Sequence, residues 1–342
     1  MLKQISLLIL CAAAIVWFAT PVQACTSAVV SGKVTPDGRP LLWKNRDTDF
    51  MRNHVDYVKG EKYDFIAVVN SVNAYLKEAW MGTNSAGFAL MNTQSYNLVD
   101  VKGDEERGAA NGRVIYRALE VCATVEDFCH FLDTISKPSD IEANFGVIDA
   151  QGGAAMFEVD YYKYAMYDAN NPKDAPYGYI ARTNFSFAGK VNEGAGYVRY
   201  MEADQVLMKA SATGSITPQF IFNDLSRSFR NRMLDIDLRS GAYNRPQASG
   251  WFVDQDFIPR SSTSCSVVVQ GVKPGEKAEL TTMWTLLGYP PTGIAVPLWV
   301  KDAGKLLPGM VRFGKEHEAA PLSDWSLRLA DRVFSYKQGM GT

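Results

Sequence analysis

Histidine is nearly missing from this 342-residue chain: only His54, His130 and His317 occur, and no two stand at metal-ligand spacing. No HExxH, CxxC, GxGxxG or Walker A pattern occurs either, which leaves a zinc enzyme, a dinucleotide enzyme and a P-loop NTPase without a sequence basis. No metal or cofactor is therefore expected. Five cysteines are too few for a disulfide scaffold. A surplus of one charge is absent too: 35 Lys and Arg face 37 Asp and Glu, for a formal charge of -2, so no basic footprint for nucleic acid exists. No apolar run reaches the about 20 residues of a membrane span. What is present is an ordinary globular mixture, 47% hydrophobic and 21% charged, with a mean hydropathy of -0.13. That composition excludes a disordered or fibrous chain, and the length allows one large domain or two small ones.

The N-terminus carries the most information. Lys3 is followed by an unbroken apolar run of 13 residues, Leu7 to Ala19, then Pro21 and Val22-Gln23-Ala24. A positive start, a short apolar stretch and a compact cleavage site make residues 1–24 a secretory signal peptide. The expected mature chain, 25–342, is a single exported domain, periplasmic or secreted, with no membrane span. Its first residue is Cys25. A terminal cysteine carries a thiol of unperturbed pKa about 8.5 and an α-amine of about 7.7–8.0 on one residue. The amine can serve as base for its own side chain, which suits a chain so poor in histidine. Two other readings compete: Val22-Gln23-Ala24-Cys25 is also a loose lipobox, and Cys25 could simply mark the cut. Lipid-bearing cysteines need a polar tether, whereas Thr26-Ser27-Ala28-Val29-Val30-Ser31 reads at once as a strand. That favours a rigidly held, catalytic thiol.

Strand patterns fill the first part of the chain, at 25–31, 40–44, 65–70, 78–82 and 88–92. Residues 98–112 read as a polar loop. Apolar residues at Val114, Ile115, Ala118, Leu119 and Cys122 have helical spacing, and Thr124 with Asp127 makes a capping box for a second helix. Cys122 and Cys129 read as buried thiols. Further strands are expected at 144–149, 154–160, 162–167, 179–183, 264–271 and 279–285, and helices at 197–210, 219–229 and 322–336. Residues 230–258 form a long irregular stretch, a length usually reserved for function. Nothing repeats and no linker divides the chain, so the pattern predicts one α+β domain with antiparallel strands at its centre.

The chemistry-bearing group is Lys44-Asn45-Arg46-Asp47-Thr48-Asp49 at a strand end, where Asp47 and Asp49 face the same side in extended chain. A terminal cysteine needs a partner to orient its amine and a cation to favour thiolate. Asp49 and Arg46 are of the right types.

Cys25-Thr26-Ser27, then an Arg-x-x-Asp about twenty residues on, resembles the start of the N-terminal nucleophile (Ntn) hydrolases of the bile-salt (choloylglycine) hydrolase and penicillin V acylase branch. The fuller string with Pro36-Asp37-Gly38-Arg39-Pro40 and Trp43-Lys44-Asn45-Arg46-Asp47 resembles the neighbouring acyl-CoA:6-aminopenicillanate acyltransferases more closely. The resemblance implies a four-layer αββα sandwich with the cysteine on a central strand. It is specific at residues 25–49 and extends in pattern to about residue 300. By the same likeness, Gly82–Asn92 ends at an oxyanion asparagine, Asn92, with Asn84 as an alternative that spacing does not remove. Tyr179–Phe185 resembles the Thr-Asn segment of bile-salt hydrolases and makes Asn184 a second polar candidate, although the proline that often follows there is absent. Arg260 lies in a segment similar to one carrying a late active-site arginine. Cys265 reads as a core thiol. The implied activity is cleavage of a linear amide C–N bond through a Cys25 thioester. Alternatives are acyl transfer to an amine, or a non-catalytic lipoprotein. The expected partner is a small amide with an apolar acyl group, for which Trp251, Phe252 and Phe257 could line a pocket. Homo-oligomerisation is left open.

Overall fold

The computed structural model describes residues 24–72, 76–99, 108–241, 251–252, 256–313 and 319–336, with backbone alone at 251–252 and 335–336. The expected leader lies outside them except for Ala24. The main strands are β1 (Thr26–Val30), β2 (Leu41–Asp47), β3 (Asn53–Val58), β4 (Phe65–Asn70), β5 (Met81–Asn84), β6 (Ala89–Gln94), β7 (Ala143–Ile148), β8 (Ala154–Val159) and β9 (Tyr164–Asp168). They continue with β10 (Tyr179–Arg182), β11 (Thr263–Gln270), β12 (Thr282–Leu287) and β13 (Ala295–Leu298). The principal helices are α1 (Asn111–Val121), α2 (Val125–Thr134), α3 (Tyr197–Ala212) and α4 (Pro321–Val333).

Two antiparallel sheets result. One runs β10-β1-β2-β11-β12-β13; the other is a seven-stranded meander, β3 to β9 in order, with α1 and α2 inserted between β6 and β7. Alternation along each strand sorts the side chains into layers. From the six-stranded sheet, Val29, Leu42, Cys265, Val267 and Val269 point toward the other sheet; from the meander, Val68, Met81, Met91, Ile148 and Met156 meet them. Phe65, Leu90, Phe145 and Phe157 point the other way, onto Ile115, Leu119, Phe128 and Leu132 of α1 and α2. Ala28, Val30, Leu41 and Trp43 likewise meet Ala203 and Leu207 of α3 and Phe222 and Leu225. The expected helix–sheet–sheet–helix order is thus built by period-two strands and amphipathic helices. Each large apolar side chain so buried stabilises by roughly 1.5–3 kcal/mol. The sheets pack tightly at Gly146, where a Cβ would lie 2.8 Å from Leu42 Cδ1 of the other sheet and 2.3 Å from Met91 Cε on the neighbouring strand.

Several expected elements shift. β2 runs three residues beyond its expected end, to Asp47. The helix expected over 219–229 is one α-turn, Pro218–Phe220, capped by Thr217 and followed by a π-turn at Ile221–Leu225. The capping box of α2 is present as predicted, Thr124 accepting from Asp127 N–H and Asp127 from the Thr124 N–H. Cys122 is buried, whereas Cys129 on α2 is only half-buried.

Candidate active site

β1, β2 and β11 lie side by side, and their polar ends form one end of the sandwich. Cys25 stands one residue beyond the Thr26–Asn45 pair, next to Arg46, whose partner on β11 is Cys265. The β2–β11 register shifts between Thr263 and Cys265, which sets Thr263 against Asp47. Bulges of this kind re-aim side chains where a strand meets a site.

Cys25 is held at three points, its N–H, its carbonyl and its thiol. With Ala24 attached, its N–H donates to Asn184 Oδ1 at 2.9 Å. Its carbonyl accepts from Arg199 Nη1 at 2.6 Å, and the thiol lies 3.8 Å from the Asp47 carbonyl. Arg199, 1% exposed, also donates to Thr26 Oγ1 at 3.1 Å, to Asn184 Oδ1 at 2.9 Å, and through Nε to Asp256 Oδ1 at 2.9 Å. Arg260 reaches the same Asp256 oxygen at 3.4 Å.

Asp47 is fully buried. Thr263 donates to its Oδ1 at 2.5 Å, while Oδ2 has no hydrogen-bond partner. Burial pushes the carboxyl up to about 7, against the pull of Arg199 and Arg260. Lys44 and Arg46 project between the sheets. Burial lowers Lys44 to about 8 and Arg46 to about 10. Arg46 pairs with no carboxylate in this cluster: its Nη1 meets Asn53 Oδ1 at 2.5 Å, its Nη2 meets Asn70 Oδ1 at 2.8 Å, and its guanidinium lies 4.5 Å over the Trp80 ring. The β5–β6 ladder ends at Met81–Met91, and just past that end Lys44 Nζ donates to Asn92 Oδ1 at 2.9 Å and to the Trp80 carbonyl at 3.2 Å.

Cys25, Arg46 and Asn184 of the sequence-derived set therefore come together, with Asn92 joined through Lys44 and Arg260 through Asp256. Asp49 does not join them: it lies exposed on the turn after β2, and the aspartate at Cys25 is Asp47, whose backbone carbonyl meets the thiol and whose buried carboxyl takes the Thr263 hydroxyl. Asn184 differs from the expected oxyanion donor, because its NH2 already donates to the Gln94 carbonyl at 2.8 Å and its Oδ1 takes the Cys25 nitrogen. Asn84 is a structural clamp: its NH2 holds the Leu119 and Cys122 carbonyls at the end of α1. Burial raises the Cys265 thiol to about 11 and the Cys122 thiol to about 12, as suits core positions. Phe257 packs on Phe229 at 5.9 Å within a small cluster with Tyr289 and Ala330; the side chains of Trp251 and Phe252 lie outside the described residues.

Lys44 and Asp47 lay in the expected charge group but were assigned no role, and Arg199 and Asp256 were not singled out by the sequence. Two signals were there. Lys44-x-x-Asp47 repeats the Arg46-x-x-Asp49 spacing two residues earlier. Arg199 stands in line with Ala203 and Leu207 on the buried face of α3, a charge where the helix period demands an apolar residue.

Two antiparallel sheets between helices, with a buried cysteine just ahead of a central strand, make the layered fold that the resemblance to N-terminal nucleophile hydrolases implies. The chain belongs to the acyl-coenzyme A:6-aminopenicillanic acid acyl-transferase family, whose model matches residues 34–210. Among solved structures it is similar to a conjugated bile acid hydrolase mutant from Clostridium perfringens (14% identity, 80% of this chain, 92% of that one, TM-score 0.45). It is also similar to penicillin V acylase from Agrobacterium tumefaciens (14%, 81% and 86%, 0.41) and to a Caenorhabditis elegans N-acylethanolamine-hydrolyzing acid amidase ortholog (16%, 59% and 90%, 0.39). No curated protein matches the chain in sequence.

Proposed function

We propose that the mature chain begins at Cys25 after export and cleaves a linear amide through a Cys25 thioester. The observation that carries this reading is the socket around the Cys25 nitrogen. Asn184 Oδ1 accepts from it, Arg199 fixes that oxygen, and Asp47, whose carbonyl meets the Cys25 thiol, has a buried carboxylate oxygen, Oδ2, that lacks a partner. An orphaned buried carboxylate oxygen is costly; an α-ammonium released at Cys25 would give it one. Asp47 would then hold the charge and rotamer of the terminal residue, the part expected of Asp49 from the sequence.

In this mechanism the neutral α-amine takes the thiol proton, and sulfur attacks the amide carbon. The carbonyl π electrons move to oxygen, where the Asn92 NH2 stabilises the oxyanion. The α-ammonium passes its proton to the departing nitrogen as the C–N bond breaks, leaving a thioester. Water, deprotonated by the same amine, attacks the thioester and releases the acid and the thiol. Preorganised donors at such an oxyanion are worth roughly 2.7–4 kcal/mol of barrier each. The family's name favours a second ending, in which an acceptor amine replaces water. An amine acceptor added to the reaction separates the two: N-acyl product at the expense of free acid marks transfer. A lipid on Cys25 is disfavoured by burial, since the thiol residue is 6% exposed and Ala24 is fully buried.

The test compares a chain starting at Cys25 with one that retains Ala24. The retained residue turns the amine into an amide nitrogen with no available lone pair. Hydrolysis should fall by ~10³-fold or more with the fold intact. Equal rates from the two chains would contradict the mechanism.

A further inference from the structure

The acyl-transfer route above makes no use of Lys44, yet this lysine is buried at the reacting end of the sandwich. Its ammonium leaves β2 and crosses to the other sheet, where it donates to Asn92 Oδ1 at 2.9 Å and to the Trp80 carbonyl at 3.2 Å. Both acceptors are uncharged. An ammonium buried against neutral groups costs stability, and an apolar side chain of like volume would fill the gap between the sheets more cheaply. Packing is therefore not a sufficient reason for a lysine here.

The chemistry of the amide supplies one. An asparagine has a carbonyl oxygen that only accepts and an NH2 that only donates, and an ammonium can bond only the oxygen. Lys44 thus fixes which way the Asn92 amide is turned, with Oδ1 toward the lysine and NH2 away from it. Resting on the reading of Cys25 as nucleophile, we propose that Lys44 is the positioning residue of the oxyanion site. It bridges the two sheets, locks the Asn92 amide with its NH2 free for the oxyanion, and sets a positive charge behind that donor. The charge reaches the developing oxyanion through one polarised amide, in a site shielded from water.

The charged and titratable groups around Lys44 are Cys25 just ahead of β1, Arg46 and Asp47 from β2 itself, and Cys265 from β11. Burial, with Arg46 acting in the same direction, outweighs Cys25, Cys265 and Asp47 and brings the ammonium to about 8, so its charge is present below that pH and lost above it. Turnover should fall as the pH passes about 8.

The experiment uses the mature chain with 4-nitrophenyl phenylacetate and 4-nitrophenyl octanoate as acyl donors, and Cys25→Ser as the blank. Asn92→Ala should lower kcat by ~10²–10³-fold. Lys44→Met should lower it by ~10-fold or more with KM nearly unchanged, and Lys44→Met/Asn92→Ala should be no slower than Asn92→Ala alone, because the lysine acts through the amide. Lys44→Arg, which keeps the charge, should move the alkaline limb up by at least about one pH unit. Multiplying losses in the double variant, wild-type kcat in Lys44→Met, or an unmoved limb in Lys44→Arg would overturn the proposal. The Lys44→Arg limb decides alone if Lys44→Met does not fold. Absence of any Cys25-dependent turnover would overturn the proposed function, and this inference with it; Cys25-dependent turnover with additive losses would remove only Lys44.

Discussion

Asp47 and Asp49 differ by two residues and by everything else that matters to the site. In an extended strand a shift of two keeps a side chain on the same face, so sequence pattern alone could not choose between Lys44-x-x-Asp47 and Arg46-x-x-Asp49. The choice is made by where β2 ends, and β2 runs on to Asp47 because β11 pairs with it that far. Asp47→Asn should therefore reduce turnover by ~10²-fold or more, whereas Asp49→Asn, at an exposed turn, should leave it within about twofold. Stability should move the opposite way. The Asp47 carboxyl is raised from 3.8 to about 7, so its favourable contribution is complete below its unfolded value and is lost as pH rises through about 7. In the chain that retains Ala24, Asp47→Asn should stabilise by roughly 1–3 kcal/mol at pH 8 and hardly at all at pH 4, the usual scale for relieving a buried unsatisfied group. Thermal unfolding at the two pH values reads this directly. In the chain starting at Cys25 the gain should shrink, since the new ammonium partners the carboxylate. Arg199 was illegible for another reason: its partners are Cys25, Asn184 and Asp256, all far away in sequence, and only tertiary structure brings them to one guanidinium.

At the scale of elements, the strands with continuous apolar faces were legible, and two of the four edge strands were not. β3, Asn53–Val58, mixes His54 and Asp56 with apolar residues, and β13, Ala295–Leu298, contains Pro297. Both lie at the margins of their sheets, where polar residues and proline are tolerated because one side of the strand makes no ladder. The segment after Thr217 started as helix on its cap and N1 proline but passed into a π-turn at Ile221–Leu225, whose carbonyl of Ile221 takes the Ser226 N–H. Two substitutions separate what the elements do. Thr124→Ala removes the cap of α2, on the far side of the meander from Cys25, and should cost about 1 kcal/mol of stability with kcat unchanged. Gly146→Ala places a methyl against Met91 and Leu42 and should force the sheets apart. It should cost roughly 1–3 kcal/mol and also lower kcat, because Lys44 must span that gap to reach Asn92.

For the molecule as a whole, the fold was legible from its alternating strands and from the residues around Cys25, and matching of the family model over 34–210 agrees with it. The identity of the acyl group was not legible. Its expected lining falls partly on Trp251 and Phe252, whose side chains lie outside the described residues, and on Phe257, which is occupied in packing against Phe229. Among the described residues no helix is long and apolar enough to cross a membrane. The central claim is that a free N-terminal Cys25 becomes acylated, and intact-mass and peptide mass spectrometry of the purified chain reads every part of it at once. After brief exposure to 4-nitrophenyl octanoate and an acid quench, the account predicts a chain starting at unlipidated Cys25 that carries one octanoyl group, located on the peptide beginning at that residue. A diacylglyceryl mass on Cys25, a chain with residues still ahead of it, or an octanoyl group on Cys122, Cys129 or Cys265 instead would contradict it.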